Sequence, residues 1–125
     1  MKNEMSKYRY LELKYFALQY SEFKERLKIL EGKNFPERIF PKTKLNGYSD
    51  YVPKLASEII DVKKKIEIIE KAALTCDEQI GRFILQAVTK NLSFTQMKMR
   101  ENLPCERDMF YDRRRRFFKA LDIYK

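Results

Sequence analysis

The 125-residue chain has no histidine and no tryptophan, and only three glycines, four prolines and two cysteines. Without histidine there is no Ser-His-Asp or Cys-His catalysis and no imidazole metal ligand. Two cysteines alone cannot build a four-ligand zinc site. Three glycines leave little room for a phosphate-cradling loop, and neither GxGxxG nor GxxxxGKS occurs. No long apolar run is present, so nothing in the sequence is suited to span a membrane. Met1-Lys2-Asn3-Glu4 leads into charged sequence with no apolar signal segment, and the expected location is the cytoplasm. In that compartment Cys76 and Cys105 are expected as reduced, partly buried thiols.

What is present is charge and helical periodicity. Hydrophobic residues make up 44% of the chain and charged residues 36%. That balance suits long helices with one buried stripe and much wetted surface. The net charge is +9, which favours an anionic partner. Residues 92–125 hold nine basic and five acidic groups, including the one dense block, Arg113-Arg114-Arg115-Arg116.

The periodicity predicts an all-α chain. Residues 6–31 read as one long helix with Ser6 as its cap and Gly32 as its C′ residue. Tyr8, Leu11, Tyr15 and Leu18 form its first seam, and Tyr20, Phe23, Leu27 and Leu30 continue it after a change of phase. Pro36, Pro41, Asn46-Gly47 and Pro53 then mark a loop over 32–53. Its Phe35, Ile39, Phe40, Leu45, Tyr48 and Tyr51 either fold back onto the helix ends or, with Arg38, Lys42 and Lys44, form a second contact region. A second helix spans about 54–74, with the heptad seam Leu55, Ile59, Val62, Ile66, Ile69 and Ala73 and Lys63-Lys64-Lys65 mostly off it. The two helices are expected to form a long antiparallel hairpin, making residues 1–74 the first domain.

Residues 75–125 are expected to be a three-helix module. Thr75-Cys76-Asp77-Glu78 has the form of a capping box and predicts a helix over 76–90, with Ile80, Phe83, Ile84, Ala87 and Val88 inward and Asn91 ending it. Ser93 caps a short helix over 94–101, with Phe94, Met97 and Met99 inward. Asn102-Leu103-Pro104 forms a turn, and a last helix runs from about 105 to 123. A short helix, a turn and a basic helix compose a helix-turn-helix, whose last helix fits the major groove.

On that last helix Phe110, Phe117 and Leu121 define the core face. Arg107, Tyr111 and Arg115 are the candidate base readers, since arginine pairs bidentately with guanine and the N-terminal half of such a helix reaches base edges first. Lys98, Arg100, Arg116 and Lys119 are the candidate phosphate contacts. Asp108 and Asp112 share the exposed face. They either pair with neighbouring arginines, hold them in pose, or accept from cytosine. Cys105, at the start of the helix, is expected to have a lowered thiol pKa.

The run Leu92-Ser93-Phe94-Thr95-Gln96-Met97, followed by Leu103 to Arg115, resembles the sigma-70 region-4-like helix-turn-helix of small phage and mobile-element regulators. It is most similar to the RinA/ArpU-type late-transcription regulators. Cys105, Phe110-Tyr111, Arg113, Arg115, Phe117 and Leu121 carry the likeness, which covers roughly the last 35 residues. The resemblance implies a DNA-binding transcriptional regulator. Its partners would be double-stranded DNA, RNA polymerase, and a second copy of the chain through the hairpin.

No catalytic residue, metal ligand or cofactor is expected. The competing reading is a non-enzymatic helical interaction or scaffolding protein of phage origin acting through the hairpin. A packaging-recognition subunit fits less well, because its DNA-binding module would precede the oligomerising helices. A membrane-surface role lacks the broad apolar face and Trp it needs.

Overall fold

A computed structural model describes residues 5–33 and 45–125. All regular structure among them is helical: α1 Lys7–Leu18, α2 Tyr20–Lys33, α3 Leu45–Cys76, α4 Gly81–Lys90, α5 Phe94–Glu101 and α6 Arg107–Tyr124. No described helix is long and apolar enough to cross a membrane. The chain divides into two compact units. One comprises residues up to Tyr20 together with Glu67–Lys125, and the other is Ser21–Ile66. The divisions therefore fall at 20/21 and 66/67, where a boundary at 74/75 was expected.

The expected first helix is two. Ser6 caps α1 as predicted, its Oγ accepting from the Arg9 N–H at 3.1 Å. The helix then stops at Gln19, whose N–H turns back to the Phe16 carbonyl at 3.1 Å. The break coincides with the phase change between the two apolar runs. The buried face also differs from the expected seam. Leu13, Phe16 and Ala17 are buried, while Tyr8 and Tyr15 stand 77% and 57% exposed. Helix α1 has apolar residues on two opposite faces, and a 3–4 spacing fits both. The face that wins is the one with partners on α6. There Tyr10 meets Phe118 edge to face at 5.1 Å, and Arg9 Nε donates to Asp122 at 2.6 Å.

Gly32 lies inside α2 rather than after it, and α3 begins at Leu45 rather than at about 54. Asn46-Gly47 is thus in the first turn of a helix, and Pro53 is inside it. Proline forfeits one N–H bond and crowds one carbonyl, but α3 continues through it here. Phe35, Pro36, Arg38, Ile39, Phe40, Pro41, Lys42 and Lys44 lie outside the described residues, as do the side chains of Leu45, Tyr48 and Tyr51.

In the second unit Leu30, Leu55, Val62 and Ile66 are buried. Arg26 pairs with Glu58, Lys63 lies 3.7 Å from Glu31, and Lys65 sits over the Phe23 ring. Lys63 and Lys64 are exposed, as expected of residues off the seam, and Lys65 is half-buried.

The first unit is built around α6. Phe110, Phe117 and Leu121 are fully buried, joined by Phe118 and Ala120. Helices α1 and α4 pack on α6, and Leu13 and Phe16 of α1, Ile69 and Ala73 of α3, and Ile84 and Val88 of α4 are buried in the same unit. The end of α3 is fastened to the end of α6 by Thr75 Oγ1 and Tyr124 Oη, 2.8 Å apart. Lys71 also lies over the Tyr124 ring. Thr75 therefore belongs to α3 and caps nothing, and α4 starts only at Gly81. A Cβ on Gly81 would lie 2.4 Å from the Ala73 carbonyl oxygen. Helix α4 thus approaches the α3 backbone at a distance only glycine permits.

Gly81→Ala is expected to destabilise the protein by about 1–3 kcal/mol through this clash. Gly32→Ala, where the added methyl meets open space, should be neutral or gain about 0.5–1 kcal/mol. Urea denaturation of the two variants against wild type measures both. Equal midpoints for Gly81→Ala and wild type would mean that α4 can move off Ala73 without loss.

Candidate nucleic-acid interface

Two left-handed asparagines shape the α4–α5–α6 segment. Asn91 (φ 57°, ψ 51°) ends α4, and Asn102 (φ 55°, ψ 48°) ends α5. Asparagine adopts this conformation more readily than other residues with a Cβ. After Asn91 the Leu92 N–H closes on the Ala87 carbonyl at 2.8 Å. Ser93 then caps α5 as predicted, and with a full capping box. Its Oγ accepts from the Gln96 N–H at 3.2 Å, and Gln96 Oε1 accepts from the Ser93 N–H at 2.9 Å. Of the residues expected inward on α5, Met97 is fully buried and Phe94 half-buried. Met99 is 78% exposed; an eight-residue helix with Met97 at its centre turns Met99 to the far side.

The turn between α5 and α6 is anchored by its own side chain. Leu103 is buried, and its carbonyl accepts from Lys98 Nζ at 3.0 Å. Cys105 is buried beside it. Tyr111 Oη accepts from the Phe94 N–H at 3.4 Å, and the Phe94 and Phe110 rings meet at 5.8 Å. These contacts set α6 against α5. Two of the candidate DNA residues, Lys98 and Tyr111, thus have their polar atoms engaged within the motif.

The other candidates are on the surface. Arg107 is exposed, with its guanidinium 5.3 Å from the Tyr111 ring centre. Arg115 and Arg116 have side chains 68% and 58% exposed. Arg100 and Lys119 are exposed and form no ion pair among the described residues. Along α6, Arg115 and Lys119 share one side, with Arg107 and Arg116 on its two flanks, as 100° per residue requires. The other two arginines of the block are used internally. Arg113 Nε lies 2.7 Å from Asp77 Oδ2, and Arg114 lies over the Phe118 ring at 5.4 Å. Asp112 pairs with Arg113, Arg115 and Arg116.

Asp77 joins two elements that are far apart in the sequence. The expected cap was Thr75. The acceptor is Asp77, whose Oδ1 takes the Gln79 and Ile80 N–H groups at 2.7 and 2.8 Å. Its other oxygen holds Arg113, 36 residues away. The Ile80 N–H first, and then Arg113, hold its carboxyl below the usual range. The capping signature pointed to this stretch, but no local spacing could reveal the link to Arg113.

Both cysteines are free and buried. Burial pushes the Cys76 thiol up to about 11 and raises that of Cys105 as well. The expected lowering at Cys105 is therefore reversed. The residue precedes Glu106, the cap of α6, and desolvation outweighs the helix dipole there.

Comparison with known proteins finds no family model, curated protein or solved structure that matches the chain.

Asp77→Ala should cost about 1–2 kcal/mol at pH 7, as loss of a helix cap does. A carboxyl whose pKa is lower in the folded state stabilises fully above its unfolded value, near 3.8. That contribution disappears as pH falls through the folded value. The gap between wild type and variant in chemical denaturation should therefore be constant at neutral pH and narrow below about pH 4. A gap unchanged at acid pH would remove the charged form from the explanation. Both thiols should resist a disulfide-exchange reagent at pH 8 and react promptly in denaturant; fast labelling of the folded chain would contradict their burial.

Proposed function

We propose that this chain is a non-enzymatic, DNA-binding transcriptional regulator of a phage or integrated mobile element, acting in the cytoplasm. One observation carries the reading. A basic helix is held by a short helix and a packed turn, and its outward side presents Arg107, Arg115, Arg116 and Lys119. A single α-helix fits the major groove, where arginine pairs with the O6 and N7 acceptors of guanine. Arg107 and Arg115 are the base readers in this proposal. Arg100, Arg116 and Lys119 contact phosphates, and Lys98 reaches them from the turn it closes. Tyr111 supports Arg107 from beneath while its hydroxyl positions α5, so any base contact it makes is through its ring. RNA polymerase and a second copy of the chain are the proposed protein partners.

A second reading draws on Tyr8 and Tyr15. Two exposed tyrosines a heptad apart suit a helical interaction protein that engages a partner through its helices.

Selection from random duplex DNA at physiological salt separates the two. The regulator should enrich a defined motif, and affinity for it should fall steeply with salt as counterions are released. Arg107→Ala and Arg115→Ala should each weaken binding to that motif by about 1–3 kcal/mol and relax the preference at one position. Absence of any enriched motif would favour the interaction protein. A double variant that binds the motif as wild type does would overturn the assignment of these two readers.

A further inference from the structure

The exposed side of α6 carries three carboxylates; Asp122, near its end, is held by Arg9, while Asp108 and Asp112 lie among the basic residues, where each would repel a phosphate backbone. These two are not equivalent. Asp112 lies 2.5 Å from Nη1 of Arg113, 3.2 Å from Nε of Arg116 and 3.6 Å from Nη2 of Arg115. Asp108 forms no ion pair among the described residues. Arg113 has its own partner in Asp77, and Arg114 lies over Phe118. The two arginines of the block left for a ligand are thus Arg115 and Arg116, and both gather on Asp112. A carboxylate that accepts from several guanidinium groups takes the place that a phosphate oxygen would take among them.

We propose that Asp112 is a specificity-determining residue of α6, an internal competitor that DNA must displace from Arg115 and Arg116. The proposal rests on the DNA-binding reading above. A duplex of arbitrary sequence offers these arginines only phosphates. They replace the Asp112 carboxylate like for like and are repelled by it once it is left unpaired. A cognate site also offers a guanine edge, which accepts two bonds from one arginine. That surplus offsets the lost internal pairs. Specificity is a difference of two affinities, and a penalty on the wrong partner enlarges it as surely as a gain on the right one. The pairs are largely exposed and individually weak, so Asp112 competes reversibly and does not lock the helix.

The test measures the affinity of wild type, Asp112→Asn, Asp112→Glu and Asp108→Asn for two duplexes across a salt series. One duplex is the sequence enriched by selection, and the other is a scrambled version of it. Asp112→Asn should tighten the scrambled duplex about three- to tenfold and steepen its salt dependence by about one phosphate contact. The enriched duplex should change less, so the ratio of the two affinities falls. Asp112→Glu should keep the wild-type ratio, and Asp108→Asn should tighten both duplexes alike. Because Arg113 keeps Asp77, the melting curve of Asp112→Asn should overlay that of wild type. Equal tightening of both duplexes by Asp112→Asn would reduce the effect to charge repulsion and overturn the proposal. Weaker binding to the enriched duplex would also overturn it, since Asp112 would then be holding Arg115 in its binding pose. A selection that enriches no sequence, with no binding of arbitrary duplex at low salt, would instead overturn the DNA-binding reading itself, and the proposal with it.

Discussion

The burial of one stripe of α6 is the constraint on which the candidate interface depends. Phe110, Phe117 and Leu121 are fully enclosed, and each such side chain is worth roughly 1.5–3 kcal/mol of apolar transfer. With that stripe inward, the orientation of every other residue on α6 follows at 100° per residue. Four consecutive arginines cannot then share one fate. Arg113 falls where Asp77 can reach it, and Arg114 lies over Phe118. Arg115 and Arg116 emerge into solvent. A block of charge in the sequence becomes two structural residues and two surface residues.

The support for α6 comes from segments far from it in the chain. Helix α1 contributes Leu13 and Phe16, and its Arg9 holds Asp122 near the end of α6. The end of α3 is fastened to the end of α6 by Thr75 and Lys71, which both meet Tyr124. Asp77 then satisfies two backbone donors ahead of α4 and one guanidinium of α6. A single carboxylate thus joins the start of one helix to the middle of another. An unpaired group at such a half-buried position would be costly, and no buried side-chain polar atom lacks a partner among the described residues.

The features legible in the sequence were those with a local cause. Ser6 and Ser93 cap helices because a side-chain oxygen reaches an N–H three residues on. Asn91 and Asn102 end helices because they tolerate a positive φ. The core face of α6 and most of the α3 seam followed from spacing alone. What misled was spacing that fits two answers. Tyr8, Leu11, Tyr15 and Leu18 make as regular a row as the residues that α1 actually buries. Only the position of α6 chooses between the rows. Pro53 punctuates the sequence like the end of a loop, yet it sits inside α3. Nearness to a helix start points to a lowered Cys105 thiol, whereas its burial raises it.

By itself, then, the sequence determined that the chain is helical, where α1 and α5 are capped, and which stripe of α6 is apolar. Those follow from interactions within a few residues. The tertiary structure decided which face of α1 is buried, that α1 belongs with the C-terminal helices, and that Asp77 holds Arg113. It thereby decided which basic residues of α6 remain at the surface. The reason is that partners far apart in the chain leave no periodic trace, and an absence of histidine or an excess of positive charge says nothing about which arginines are already spoken for.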